Sequence, residues 1–170
     1  MALLDVRNLT VTLKTNRGNA RAVRDLTFSI DRGETIGIVG ESGCGKTMAG
    51  LAIMGLLPDG ATASGEVLLD GVNLLSEPES NLRHIRGKRM AMVFQEPMTS
   101  LNPLHTVGRQ VSEALRIHKK IGARAATREA IEMLRRVELR DPQQQINSYP
   151  HQLSGGERQR VMIAIALSCG

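Results

Sequence analysis

Residues 40–47 of the chain read Gly40-Glu41-Ser42-Gly43-Cys44-Gly45-Lys46-Thr47. This run matches the pattern G-x-x-x-x-G-K-[ST] of loops that bind phosphate. The apolar, β-branched run 36–39 before it predicts a buried strand, and the mostly apolar run 47–57 after it predicts a helix that Pro58 and Gly60 end. A strand, a glycine-rich turn and a helix start in this order predict a loop that holds nucleotide phosphates.

The residues of this loop are expected to have separate roles. Glycines let successive backbone N–H groups curl around phosphate oxygens, and the positive end of the following helix faces the same charge. Lys46 is expected to reach the β- and γ-phosphates, and the hydroxyl of Thr47 to ligate Mg²⁺. Cys44 is assigned no catalytic role. The predicted nucleotide-binding residues are Gly40, Glu41, Ser42, Gly43, Cys44, Gly45, Lys46, Thr47 and Met48.

Two hairpins and a second buried strand are predicted around the loop. Apolar and polar residues roughly alternate over 3–13 and again over 23–30, with turn residues between the two segments. A shorter hairpin is predicted over 65–74, where Asp70-Gly71 is the turn signal. Residues 90–94 form another apolar run that is typical of a buried strand.

Three helices are predicted in the second half of the chain. Helical spacing gives the first two an apolar face each, made of Val107, Val111, Ala114, Leu115 and His118, and of Ala126, Ala130, Ile131, Leu134 and Val137. A polar connector over 141–152 leads to the third, predicted over about 155–167. Ser154 and Glu157 match the capping box Ser-x-x-Glu, and the bare Ser-Gly-Gly start of that helix offers a second anion site.

Composition favours one soluble, globular protein. The chain has 170 residues, of which 41% are apolar and 23% charged. The net charge of +5 arises from 22 basic residues interleaved with 17 acidic ones, which predicts a solvated surface and no nucleic-acid partner. Two cysteines are too few for a disulfide framework and indicate a reducing compartment. No apolar run approaches the length of a membrane span, so any membrane role is expected to come through a partner.

Three motifs together resemble those of the ABC-type ATPases. The signature motif of that family is matched by 153–159, its phosphate-binding loop by 40–47, and its Q-loop by Val93-Phe94-Gln95-Glu96-Pro97. The resemblance covers essentially the whole chain. The wording of 95–103 and of Tyr149-Pro150-His151-Gln152 looks most like the ATP-binding subunits of bacterial peptide and nickel importers.

The resemblance implies an α/β fold with a P-loop NTPase core, in which helices flank a parallel sheet. An antiparallel β subdomain would comprise 1–35 and 60–88, the nucleotide-binding core 36–58 and 89–95, an inserted helical subdomain 96–153, and the signature helix 154–170. ATP and Mg²⁺ are the implied cofactors, with Thr47 and Gln95 at the metal and Gln95 also at the attacking water. The implied signature residues are Leu153, Ser154, Gly155, Gly156, Glu157 and Gln159.

The family also implies partners and a location. Two subunits would sandwich two nucleotides head to tail, so that the loop 40–47 of one faces Ser154 to Gly156 of the other. The helices between Val107 and Val137 would dock on transmembrane permease subunits at the cytoplasmic face of a bacterial membrane. An extracellular solute-binding protein would be an indirect partner.

The sequence departs from the family pattern in two places. After the signature helix the family continues into a buried strand ending in Asp-Glu and later supplies a switch histidine, whereas this sequence ends at Gly170. We therefore expect a core incomplete at the C-terminus, with no catalytic glutamate and little hydrolysis by the chain alone. The apolar run 67–70 also ends in an aspartate, as the family's metal-binding strand does. We interpret Asp70 as a hairpin-turn residue, because Gly71 follows it. In the family, an aromatic residue of the first hairpin usually stacks on adenine, but residues 11–15 contain none. Leu13 could pack against the adenine ring instead.

Three other functions are alternatives to that of a transporter ATPase. The first is a nucleotide-binding fragment that does not hydrolyse ATP, which a measurement of turnover separates from the enzyme. A DNA-repair ABC ATPase would need a coiled-coil arm or DNA-binding insertion, and these helices are too short. A GTPase would need an Asn/Thr-Lys-x-Asp motif, which the sequence does not contain.

Overall fold

The alternating N-terminal segments form a hairpin in a computed structural model, which describes residues 2–16, 18–96 and 100–168. Pro97 of the Q-loop motif and the neighbouring Met98 and Thr99 lie outside the described residues, as do Cys169 and Gly170. The chain divides into two compact units, 1–82 and 83–170. The four-part division given above stays a prediction.

The first unit contains an antiparallel sheet of strand order β2-β1-β3-β4. The strands are β1 (Leu4–Thr15), β2 (Gly18–Ile30), β3 (Ala61–Leu69) and β4 (Val72–Asn73). Both predicted hairpins are confirmed, and the turn between β3 and β4 uses Asp70 and Gly71 with φ of 47° and 81°. Asp70 is therefore a turn residue, as expected.

A bulge in β1 sets which side chains form the core of this sheet. Val6 and Leu9 are both fully buried although strict alternation would place them on opposite faces. Asn8 between them has a positive φ of 49°, and its N–H donates to the hydroxyl of Thr27 at 2.9 Å. The extra residue shifts the pairing of β1 with β2, so both apolar side chains reach the same side.

The helix after the glycine-rich loop is shorter than predicted. α1 spans Lys46–Ile53 and buries Ala49 and Ala52. Gly55, with a φ of 65°, ends it in a left-handed conformation, so the predicted continuation to Leu57 is wrong. Glycine after the last turn is a stronger stop signal here than Pro58.

The two buried strands predicted for the parallel sheet are not strands in the structure. Residues 36–39 carry no regular structure, with Ile38 48% and Val39 95% exposed. In 90–94, Met90 makes one isolated bridge to Arg86, and Val93 and Phe94 are largely exposed. A strand forms only when a neighbouring strand satisfies its backbone groups, and among the described residues none pairs with either run.

The second unit has a helical core. After α2 (Glu79–Ile85), which crosses the division between the units, the helices are α3 (Val107–Lys119), α4 (Ala123–Arg136), the one-turn α5 (Pro142–Gln145) and α6 (Gly155–Leu167). Short 3-10 turns lie at Leu74–Ser76 and Pro150–Gln152. Fully buried residues join α3, α4 and α6, namely Val107, Val111, Leu115, Ala126, Ala130, Leu134 and Val161. The bounds of the last helix are confirmed. The predicted apolar faces are confirmed too, except that Ala114 and His118 are not part of the core cluster and Met133 is.

Close backbone packing fixes the start of α3. Its Gly108 donates from N–H to the carbonyl oxygen of Ile146 at 2.8 Å. A Cβ at Gly108 would fall 2.2 Å from Cγ1 of Ile146, so only glycine allows this approach. Over the part of the chain that the structure describes, no helix is long and apolar enough to cross a bilayer.

Candidate nucleotide-binding site

The glycine-rich loop depends on two left-handed glycines. Gly43 and Gly45 have φ of 80° and 96°. A Cβ at Gly45 would lie 2.2 Å from the carbonyl oxygen of Ala22 in β2, so this position requires glycine on both conformational and steric grounds. Gly45 is also the N-cap of α1, and no side chain of the described residues caps that helix start. The first-turn N–H groups of α1 are therefore available to an anion.

Lys46 holds the loop together from inside. Its ammonium group donates to the carbonyl oxygens of Gly40 and Glu41 at 2.6 and 2.7 Å, and Nζ lies 3.6 Å from Sγ of Cys44. The side chain thus folds back over the loop that its own backbone ends. A phosphate oxygen could replace these carbonyls, because an ammonium has three donors and forms a stronger hydrogen bond with an ionised acceptor.

A cleft of about 520 Å³ opens beside this loop. This volume is within the range typical of small-molecule sites. Its lining residues are Arg21, Ala22, Val23, Arg24, Leu26, Ile38, Val39, Gly43, Cys44, Gly45, Lys46 and Ala49. Three of them carry positive charge, and among the described residues no acidic or aromatic side chain lines it. The cleft therefore suits an anion with an apolar body.

The second predicted anion site is the start of α6. The hydroxyl oxygen of Ser154 accepts from the N–H of Glu157 at 3.3 Å, and the Glu157 carboxylate accepts from the N–H and hydroxyl of Ser154 at 2.8 and 2.7 Å. The predicted capping box is confirmed. These bonds, first the one from the Ser154 backbone and then the one from its hydroxyl, hold the pKa of Glu157 below its usual value.

The residues around this helix start are buried or exposed in a consistent pattern. Leu153 is buried, and its carbonyl oxygen accepts two hydrogen bonds from the guanidinium of Arg158 at 2.9 and 2.7 Å. Gly155 and Gly156 are exposed, and a Cβ on either would meet no atom within 4 Å. The Ser-Gly-Gly segment is therefore anchored on one side and open on the other.

The Q-loop residue Gln95 lies in the second unit, exposed and outside regular structure. After it, the carbonyl oxygen of Glu96 accepts from the hydroxyl of Ser100 at 2.7 Å. The predicted nucleotide-binding residues 40–48 therefore lie in the first unit, and the predicted signature residues 153–159 lie in the second. Metal ligation by Thr47 and Gln95 stays a prediction. Among the described residues, no group of three or more His, Cys, Asp or Glu side chains could hold a metal ion.

Comparison with known sequences decides the family. The sequence model described as ABC transporter matches residues 23–170. The chain belongs to the ABC transporter family. Its ABC relatives include the "Probable peptide ABC transporter ATP-binding protein y4tR" of Sinorhizobium fredii, 50% identical over 98% of this chain and 50% of that protein. They also include the "Oligopeptide transport ATP-binding protein OppD" of Escherichia coli, 46% identical over 99% of this chain and 50% of that protein.

Solved ABC cassettes share the fold. The "Dimeric Structure of MJ0796, a Bacterial ABC Transporter Cassette" superimposes with a TM-score of 0.84 at 31% identity, over 98% of this chain and 69% of that one. A second MJ0796 structure, described as post-hydrolysis and bound to ADP and Pi, gives a TM-score of 0.85. The predicted fold class is confirmed. The chain spans about half the length of the curated relatives it matches.

The structure adds contacts that the sequence did not predict. Arg21 and Arg24 line the cleft, and Asp25 next to Arg24 has a positive φ of 47°. Arg158 clamps the carbonyl of Leu153 across the first turn of α6. No local sequence pattern marks either contact, since both depend on the path of the backbone.

Proposed function

We propose that this chain is the ATP-binding, energy-coupling part of an ABC importer for peptides. The observation that carries the proposal is the pairing of two anion sites in one chain: a glycine-rich loop around Lys46 and an open Ser-Gly-Gly helix start at Ser154. Relatives named for peptide transport across nearly the full chain support the solute class. Nickel is the alternative cargo.

ATP binds in this proposal between two copies of the site. The loop 40–47 of one subunit holds the phosphates through Lys46 and the α1 N–H groups, and Ser154 to Gly156 of a second subunit close over them. The dimeric cassettes that share the fold support this arrangement. Met48 and the other loop residues contribute backbone N–H groups.

Mg²⁺ accompanies the nucleotide and neutralises charge on its phosphates. Thr47 and Gln95 are the residues that would hold it. A hydroxyl and an amide oxygen are oxygen donors of the kind that Mg²⁺ prefers, so this donor set fits the ion. The side chain of Thr47 is exposed, so its hydroxyl is accessible to a metal ion.

The predicted site residues support binding more than turnover. Gln95 is the one among them to which a catalytic role is assigned, and its neutral amide cannot act as a general base. We therefore infer that residues 1–170 bind ATP and hydrolyse it slowly by themselves. A nucleotide-binding role without hydrolysis is the second candidate function.

Coupling to transport requires the remaining partners. The helical unit around α3 and α4 is the proposed dock for transmembrane permease subunits, at the cytoplasmic face of a bacterial membrane. A solute-binding protein outside the cell would supply the peptide. The mixed-sign surface of 22 basic and 17 acidic residues supports a function without nucleic acid.

Titration with a fluorescent ATP analogue and Mg²⁺ tests the binding part of this proposal. The Lys46→Ala variant should bind at least about tenfold more weakly, because it loses a charged contact to the phosphates. Arg32→Ala, which removes an exposed basic side chain of the same unit outside the cleft lining, is the matched control and should bind as the wild type does. Equal affinity in all three proteins would overturn the proposal.

Phosphate release then separates the two candidates. Saturating Mg-ATP with little or no phosphate release by residues 1–170 supports the inferred slow turnover. Steady release at a rate typical of an ATPase, lost in Gln95→Ala, would instead show that the chain carries its own catalytic machinery.

A further inference from the structure

The segment before α6 carries a stacked pair of aromatic rings. The rings of Tyr149 and His151 have centroids 5.8 Å apart and planes inclined by 14°. This is the offset, nearly parallel geometry that aromatic pairs prefer. Both residues are exposed, Tyr149 at 39%. A buried pair would serve packing, whereas this one presents ring surface to solvent.

The pair is held in place by its neighbours. Pro150 and Leu153 are buried and anchor the turn between the rings and α6. The N–H of Tyr149 donates to the side-chain oxygen of Gln152 at 2.8 Å, and the N–H of Gln152 donates to the carbonyl of Tyr149 at 2.9 Å. With the two hydrogen bonds from Arg158 to the Leu153 carbonyl, these bonds hold the backbone that connects the rings to the Ser-Gly-Gly segment.

The rings lie within reach of a nucleotide whose phosphates contact Ser154. His151 precedes Ser154 by three residues, so their Cα atoms are separated by at most about 11 Å. That is within the length of an extended nucleoside triphosphate. Exposed residues from Tyr149 to Gly156 alternate with the buried Pro150 and Leu153, so rings and anion site belong to one continuous exposed strip.

The cleft beside the phosphate loop leaves the base without an aromatic partner. Its lining within the described residues contains Leu26, Ile38 and Val39 but no ring. The stretch from Val11 to Thr15 in the first strand likewise contains no aromatic residue. A base bound there would have only aliphatic contacts from its own subunit.

We propose that Tyr149 and His151 form a stacking platform for the base of the nucleotide that a second copy of the chain holds on its phosphate loop. The proposal rests on the shared site of the proposed function. The base extends the two-ring stack by a third ring and so acquires the aromatic contact that its own cleft lacks. Adenine preference is then set in part by the subunit that contributes the Ser-Gly-Gly segment and not by the one that contributes the phosphate loop alone.

Tyrosine emission gives a direct test in the wild-type chain. Tyr149 is the single tyrosine and the chain has no tryptophan, so intrinsic emission reports on this ring alone. Mg-ATP should quench it, after correction for absorption by adenine, whereas Mg-tripolyphosphate, which has the phosphates and no base, should not. The ATP effect should require dimerisation and therefore disappear at low protein concentration.

Ring removal gives the second arm of the test. In Tyr149→Leu/His151→Leu, the affinity for ATP should fall by roughly 5- to 100-fold, the loss typical of one base–aromatic stack. The affinity for tripolyphosphate should be unchanged, which also shows that the loop is intact. Tyr149→Phe keeps the ring and should bind ATP as the wild type does.

The outcomes separate this inference from the proposed function. Suppose that the wild-type chain binds ATP and dimerises, but that the double variant has the same ATP affinity and ATP does not quench the tyrosine emission. This result would overturn the platform alone. Wild-type chain that neither binds ATP nor dimerises with it would overturn the shared site and the platform with it. Quenching by ATP together with selective loss of ATP affinity supports the platform.

Discussion

The ammonium nitrogen of Lys46 lies 2.6 Å from the carbonyl oxygen of Gly40, six residues earlier in the chain. The same group donates to Glu41, so one side chain closes the glycine-rich loop. Phosphate binding would exchange these backbone acceptors for charged ones, with which an ammonium forms stronger hydrogen bonds.

Gly45→Ala should destabilise the first unit. The φ of 96° and a Cβ 2.2 Å from the Ala22 carbonyl together cost about 1–3 kcal/mol or force the loop away from β2. Urea denaturation followed by circular dichroism measures the change. Gly155→Ala is the matched control, because a Cβ there meets nothing, and its stability should change by less than about 0.5 kcal/mol. An unchanged midpoint for Gly45→Ala would show that the loop path differs from the one described.

Charge in the cleft should contribute to nucleotide affinity. The double variant Arg21→Gln/Arg24→Gln removes two of the three positive side chains that line it. We expect ATP affinity to fall by about 3- to 10-fold at low ionic strength and the difference to shrink as salt is added. Arg7→Gln/Arg32→Gln is the control, since it removes the same number of charges from ion pairs away from the cleft lining. Equal losses in control and double variant would assign the effect to net charge alone.

Glu157 should make stability depend on pH. Its pKa is lower in the folded chain than the usual value of about 4.3, because Ser154 donates to the carboxylate. The stabilisation is therefore complete above the unfolded pKa and is lost as the pH falls through the folded pKa. Glu157→Gln should be less stable than the wild type at pH 7, and the gap should close under acid conditions.

Thermal unfolding of both proteins from pH 7 to pH 3 checks this prediction. Ser154→Ala removes the N-cap hydroxyl and should cost about 1 kcal/mol of stability at neutral pH. Glu113→Gln is the control, since this exposed glutamate lies outside the capping box. A gap between Glu157→Gln and wild type that stays constant with pH would refute the capping role of the carboxylate.

Local patterns predicted those elements whose stabilising contacts are close in sequence. Alternation with the Asp70-Gly71 turn gave the hairpins, helical spacing gave the buried faces of α3 and α4, and the Ser-x-x-Glu box gave the start of α6. Strands were predicted over 36–39 and 90–94, and this prediction is wrong, because neither run is a strand in the structure. Their composition suits a strand, but a strand also needs a partner, and composition does not supply one.

The candidate site likewise contains residues that local sequence patterns predicted and residues that they did not. The glycine-rich loop and the signature residues were predicted by number, because motif and turn chemistry are both local. Sequence patterns did not predict the cleft arginines, the hydrogen bonds from Arg158 to the Leu153 carbonyl, or the stacked rings. Each of these depends on the path of the backbone through a bulge or a turn. Sequence alone identified the residues to place, and the backbone path determined their neighbours.

The shared site is tested most directly by mixing two variants. Lys46→Ala impairs the phosphate loop, and Ser154→Arg blocks the signature segment with a bulky cation. Neither variant alone should form dimers with Mg-ATP in analytical ultracentrifugation, because every site would contain one defect. An equal mixture should form them, since each mixed dimer has one site with both parts intact. ATP-dependent dimers of Ser154→Arg alone, or a mixture that stays monomeric while the wild type dimerises, would contradict the shared site.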